Sequence, residues 1–151
     1  MTPARFKGLF ELQTPADLVH KLRHDLERME TSPTDQYAAF DFFVTAEHII
    51  DWIHPNNKVA RETLRSSSPL LRITSHLANG GKHFEAKFTH HRSVTGTEKN
   101  RYVEEGYVED GYVEEPLMIH LSQQEAKEMG ISSIDAIALG RQVLEFWTKN
   151  V

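Results

Sequence analysis

Five side chains in two neighbouring segments carry groups that could do chemistry together: His48 and Asp51 in the first, and Asn79, Lys82 and His83 in the second. Three residues on a helix is nearly one turn. At that spacing an Asp carboxylate can orient a His imidazole and stabilise its charged form. His48 then reads as a general base, Asp51 as its orienting partner and His83 as a further catalytic group. Asn79 and Lys82 supply an amide and an ammonium for a bound anion such as a phosphate, and His83 stands beside Lys82 for the same purpose. If the two segments pack antiparallel, the five converge on one pocket. The competing reading is structural. Asn79 then caps a helix end, His83 bonds a backbone carbonyl, and His48 and Asp51 form a buried pair.

The chain has nine histidines. His20 and His24 are spaced to clamp a metal from one helix face. They stand among Lys21, Arg23 and Arg28, so a solvated face is the expected role. His24-Asp25 also spells the dipeptide of metal-dependent phosphohydrolases, but its partner His and Asp are not evident at their distances. No metal site and no cofactor are expected. There is no cysteine, which excludes disulfides, thiolate metal ligands and a thiol nucleophile. A Gly-rich phosphate loop, an HExxH helix and a nucleophile elbow are all absent from the sequence.

The elements that must position these groups follow from caps and periodicity. Thr14-Pro15-Ala16-Asp17 starts a helix that runs to about Glu30, with Leu18, Leu22, Leu26 and Met29 on its apolar face. A second helix is predicted from about Asp35 to His54. Phe42, Ala46, Ile49, Ile50 and Ile53 form its apolar arc. Its opposite side mixes Asp41, Thr45, His48 and Asp51 with Tyr37, Phe40, Val44 and Trp52, so contacts are expected on both sides. Lys58 to Arg65 forms a short helix. Ser68-Pro69 starts another, which Gly80-Gly81 should end. Phe84, Ala86 and Phe88 then alternate as a strand, and Leu117, Ile119 and Leu121 as its antiparallel partner. Gly96 reads as a loop signal. Ser122-Gln-Gln-Glu125 is a capping box, and a last helix runs from about Ser133 to Lys149. Residues 5–12 suggest an edge strand. The fold class is α+β, mainly α: four to five helices, a small two-stranded antiparallel sheet and a long acidic excursion, in a single domain over 1–151.

That excursion is a pentapeptide written three times, starting at Tyr102, Tyr107 and Tyr112. It holds six of the 22 acidic residues, leaving 16 against 17 basic ones, so the net charge of −5 is local to it. Extended Tyr-Val-Glu pieces between Gly turns are expected. The carboxylates can pair with the basic stretch 82–101, and the tyrosines can anchor a protein partner or a second copy of the chain. Nucleic-acid binding is not expected, because the basic stretch is followed at once by acid. No apolar run is long enough for a membrane span, and a cytoplasmic location is expected.

The motifs His48-Ile-Ile-Asp51-Trp52, Leu77-Ala78-Asn79-Gly80-Gly81-Lys82-His83-Phe84, His91-Arg92-Ser93-Val94 and the Tyr-Val-Glu repeats resemble a family of small uncharacterised bacterial proteins over roughly residues 37 to 149. That resemblance implies a small bacterial protein without an assigned activity. In architecture alone, the helices resemble HEPN ribonucleases, whose site is an Arg, four to six residues, then a His. The nearest pair here, Arg72 and His76, is one residue too short, which speaks against a nuclease. The leading expectation is a non-enzymatic binding or regulatory protein acting through the acidic repeat or the aromatic face of the second helix. The alternative is a hydrolase of a phosphorylated or nucleotide substrate, acting through the five-residue cluster.

Overall fold

The computed structural model describes residues 5–84, 91–99 and 117–151. In chain order these form α1 (Pro15–Thr31), α2 (Gln36–Ile53), α3 (Lys58–Ser66), α4 (Pro69–His83), β1 (Val94–Lys99), β2 (Leu117–Leu121), α5 (Gln123–Met129), β3 (Ser133–Asp135) and α6 (Ala136–Asn150). The fold is α+β and mainly α. The described residues hold six helices and three strands, one more of each than the sequence suggests.

Each helix begins where a short polar side chain takes an otherwise unpaired backbone N–H. Thr14 and Asp17 close a full capping box on α1. Asp35 accepts from Tyr37 and Ala38 on α2, and Asn57 from Ala60 on α3. Ser68 accepts from Leu70, Ser122 from Glu125, and Asp135 from Ala138. At α5 the box is only half made, because the Glu125 side chain turns inward instead of back to Ser122.

α2 lies between α1 and α4 and also meets α3 and α6. Its arc Phe42, Ala46, Ile49 and Ile50 is fully buried. Leu22 of α1, Leu71 and Ile73 of α4, and Leu139, Val143 and Trp147 of α6 complete the core. Burial of such side chains stabilises by roughly 1.5–3 kcal/mol each before entropy is counted. Gly140 lets α6 come close: a β-carbon there would stand 3.1 Å from Leu26 Cδ1 and 3.4 Å from Phe42 Cζ. On the flank toward α1, Thr45 and Asp25 are buried but bonded. Lys21 Nζ donates to both, at 2.9 and 2.6 Å. Arg28 bridges Asp25 and Asp41.

The sheet runs β1-β2-β3, antiparallel throughout. Ile119 pairs with Ile134, and both face the core. β2 takes residues 94–99 as its partner, where the sequence pattern favours 84–88. Most of that favoured segment (85–90) lies outside the described residues, and Phe84 is the exposed C-cap of α4. Gly96 marks a bulge within β1 and not a loop: the register shifts between Val94 and Gly96. Residues 133–135 form β3 before the last helix starts. Residues 5–12 make only a tight turn closed by Leu9 and Leu12.

α4 does not stop at Gly80-Gly81 but continues to His83. Glycine permits a helix stop without requiring one. Here Gly81 clears space: a β-carbon would lie 2.9 Å from the Phe40 ring of α2. α3 is the outlier in packing, with no buried residue. Leu64 packs at the edge of the core, and polar contacts add to it. Arg61 donates to His54 O at 2.7 Å and pairs with Asp51 at 3.6 Å, while Arg65 pairs with Glu47 at 2.7 Å.

Candidate functional site

α2, α3 and α4 wall a cleft of about 850 Å³. Four of the five residues singled out by the sequence line it: His48 and Asp51 from α2, Asn79 and Lys82 from α4. His83 does not line it; as the last residue of α4, it is exposed. The helix running on past Gly80-Gly81 explains the split, since Lys82 and His83 then project about 100° apart.

The internal geometry differs from the expected dyad. Asp51 pairs with Arg61 of α3, and no hydrogen bond joins it to His48 among the described residues. His48 and Asp51 are both exposed, so they are not a buried structural pair either. Asn79 does not cap the helix end. Its amide nitrogen donates to Ser75 O at 2.8 Å, one turn back in α4. That bond fixes the side chain against its own helix, with the amide in the cleft wall.

The sequence reading missed the group that dominates the cleft. Glu47, the neighbour of His48, is only 9% exposed and stands in the cleft lining. Arg65 of α3 donates to its Oε1 from Nε at 2.9 Å and pairs with it through Nη2 at 2.7 Å. Its Oε2 is buried with no hydrogen-bond partner. Burial pushes the carboxyl up to about 7, against the opposing pull of Arg65 and a smaller one from Ser75. Near neutral pH the group therefore exchanges protons, as acid–base residues in clefts do. A sequence signal was present: Phe43, Glu47 and Ile50 follow one another at helical spacing, so a charge sits between two buried apolar residues.

A smaller hollow of about 250 Å³ adjoins the cleft through Glu62, Arg65, Ser75 and His91, and extends to Arg72. Arg72 and His76, the pair weighed for a nuclease, are tied into the framework. Arg72 bonds the carboxylates of Glu125 and Glu128 and the carbonyl of Ser66. His76 Nδ1 accepts from Val94 N–H at 3.0 Å, and its ring stacks on His91 at 5.5 Å.

His20 and His24 lie exposed on α1, and Asp25 beside them is buried against Lys21 and Arg28. No group of three metal-ligating side chains is present among the described residues. None of their helices is long and apolar enough to cross a membrane. Tyr102, Tyr107 and Tyr112, with the whole repeat 102–116, lie outside the described residues.

No protein-family model matches the sequence, and neither the curated proteins nor the solved structures contain a significant match.

Proposed function

We propose that the α2–α3–α4 cleft binds a small phosphorylated compound and that the protein acts on it as a hydrolase. The observation that carries this reading is the meeting of His48, Asn79 and Lys82 in one cleft around the buried Glu47 carboxyl. Lys58 and Lys82 stand in the same lining and suit a phosphate's charge. His48, exposed to the cleft, is the general base for an attacking water. Asp51 is assigned to holding α3 through Arg61 instead of orienting His48.

The test is a panel of phosphate mono- and diesters and nucleotides, screened for a rise in melting temperature and then for hydrolysis. At least one compound should do both. His48→Ala should then lower kcat by about 10²–10⁴-fold, the usual contribution of a positioned acid–base group, and Lys82→Ala should mainly raise KM. A panel that neither stabilises the protein nor is turned over refutes the reading.

A second reading rests on a separate observation. Tyr37 and Phe40, near the start of α2, are 75% and 51% exposed, which is unusual for neighbouring aromatic side chains on one helix. They fit a protein partner of the kind expected for a regulatory protein. Light scattering of the wild type against Tyr37→Ser/Phe40→Ser tests whether that partner is a second copy of the chain.

A further inference from the structure

The cleft lining carries three acidic side chains, Glu47, Asp51 and Glu62, and three basic ones, Lys58, Arg65 and Lys82. With all six charged, the formal charges of the lining cancel. Arg65 is best placed to meet a ligand on both sides, because it lines the cleft and the adjoining hollow alike. Its charge, however, is spent on Glu47 Oε1. Neutralising any one of the acids would tip the balance toward an anion. Glu47 is the one that is nine-tenths buried, has an oxygen without a hydrogen-bond partner, and holds the central arginine.

We propose that the cleft takes up its anion together with a proton: the proton goes to Glu47, and Arg65, no longer needed as its counter-ion, turns to the anion. This rests on the phosphorylated-ligand reading above and adds how the site recognises that ligand. The proton sits on Oε2, the oxygen that Arg65 does not hold, and the pull of Ser75 on this carboxyl is smaller than that of Arg65. Protonating Glu47 removes the charge that holds Arg65. Its raised carboxyl, at about 7, means this uptake costs little near neutral pH.

The groups facing Glu47 decide how clean the coupling is. From α3 these are Lys58, Glu62 and Arg65, from α4 Lys82, from its own helix His48 and Asp51, and before β1 His91. Asp51 raises the Glu47 carboxyl and Arg65 lowers it. Histidine side chains as a class titrate over the same pH range, so the experiment must separate Glu47 from His48 and His91.

Sulfate is the probe, since it stays a dianion across the range used. Its affinity is measured by calorimetry from pH 6 to 8.5 on the full chain and on Glu47→Gln. The wild type should lose affinity as pH rises, approaching about tenfold per unit above the Glu47 midpoint, as linkage of one proton requires. Glu47→Gln, neutral at every pH, should bind sulfate throughout with most of that slope gone. Should Glu47→Gln not fold, the ¹³C shift of the Glu47 carboxyl in the wild type gives the same answer: sulfate must move its midpoint upward. A slope that survives in Glu47→Gln, a pH-independent wild-type affinity, or a carboxyl midpoint that sulfate leaves in place overturns the proton coupling alone. No sulfate binding at pH 6 by either protein removes the anion site itself, and the phosphorylated-ligand reading with it.

Discussion

Arg72→Ala is expected to destabilise the protein by about 3–5 kcal/mol, the cost of leaving a buried charge without its partner. The charge is Glu125, 1% exposed on α5. Arg72 Nε and Nη2 reach it at 3.0 and 2.7 Å, and Ser93 Oγ donates to it at 2.7 Å. One carboxylate thus ties α4, α5 and the approach to β1 together. Burial alone would raise its ionisation range. The bonds from Arg72 and Ser93 outweigh that and hold it below the ordinary value for a glutamate. A lowered value gives stability that is present above the unfolded range and lost as pH falls through the folded one. The wild type should therefore weaken in acid, below about pH 4.5, and Arg72→Ala should no longer show the contribution of this carboxylate. Urea melts at pH 7 and pH 4 of the wild type, Arg72→Ala and Arg72→Met/Glu125→Leu check this. The double variant should cost less than Arg72→Ala, since no charge is then stranded. A loss under 1 kcal/mol on Arg72→Ala would mean that water reaches Glu125 and that the tether is ornamental.

Glu47→Gln should do the reverse as pH rises: its stability relative to the wild type should climb by up to about 3 kcal/mol between about pH 4.5 and the range above 7. The sign follows from the raised carboxyl. Between about pH 4.5 and 7 the folded protein keeps a proton on Glu47 that the unfolded chain has lost. Its favourable contribution is complete below about 4.5 and disappears as pH rises through about 7. Beyond that, folding must bury a charge that Arg65 only partly compensates. Gln remains neutral and avoids the loss. Thermal melts of both proteins between pH 5 and 8.5 should diverge from pH 5 up to about 7, as the wild type loses stability relative to the variant, and run parallel with a constant offset above that. Curves parallel across the whole range would place Glu47 in the ordinary carboxylate range. A protein that gains stability when a buried acid is removed is keeping that acid for another purpose, which is the trade expected of a working site.

The helix starts were legible because a cap is a local event. Thr14, Asp35, Ser68 and Ser122 each satisfy backbone donors within three residues, so the sequence alone locates them. The two glycines of α4 were misread as a helix stop: the reason for Gly81 is tertiary, and at Gly80 a β-carbon would stand in open space. Only the Phe40 ring of α2 shows that Gly81 is there for clearance. The partner of β2 was misread for a similar reason. Phe84, Ala86 and Phe88 alternate better than Val94 to Lys99, but β1 is fixed from outside, by Val94 N–H on His76 and by Ser122 N–H on Ser93 O. In the cleft, the polar residues at exposed helix positions were legible: His48, Asp51, Asn79 and Lys82 all line it. Their pairings were not. Asp51 belongs to Arg61, and Glu47 was passed over because its partner Arg65 lies 18 residues away on another helix. Glu125 was noticed, but for a cap it only half makes. Local rules assigned its backbone correctly, and only the fold assigned its side chain.

α3 has no fully buried residue and touches the core only through the half-buried Leu64, so it should open more readily than the other helices that wall the cleft. A segment fastened by Arg61, Arg65, its Asn57 cap and the half-buried Leu64 can detach and return without disturbing Phe42 or Trp147. Its amides should exchange with deuterated solvent through small local openings, while those in the middle of α2 and α6 wait for global unfolding. Because the Glu47–Arg65 pair is one of those fastenings, protonating Glu47 should speed exchange along 58–66 and leave the core helices unchanged. The side of the cleft that α3 forms would then open before the sides formed by α2 and α4.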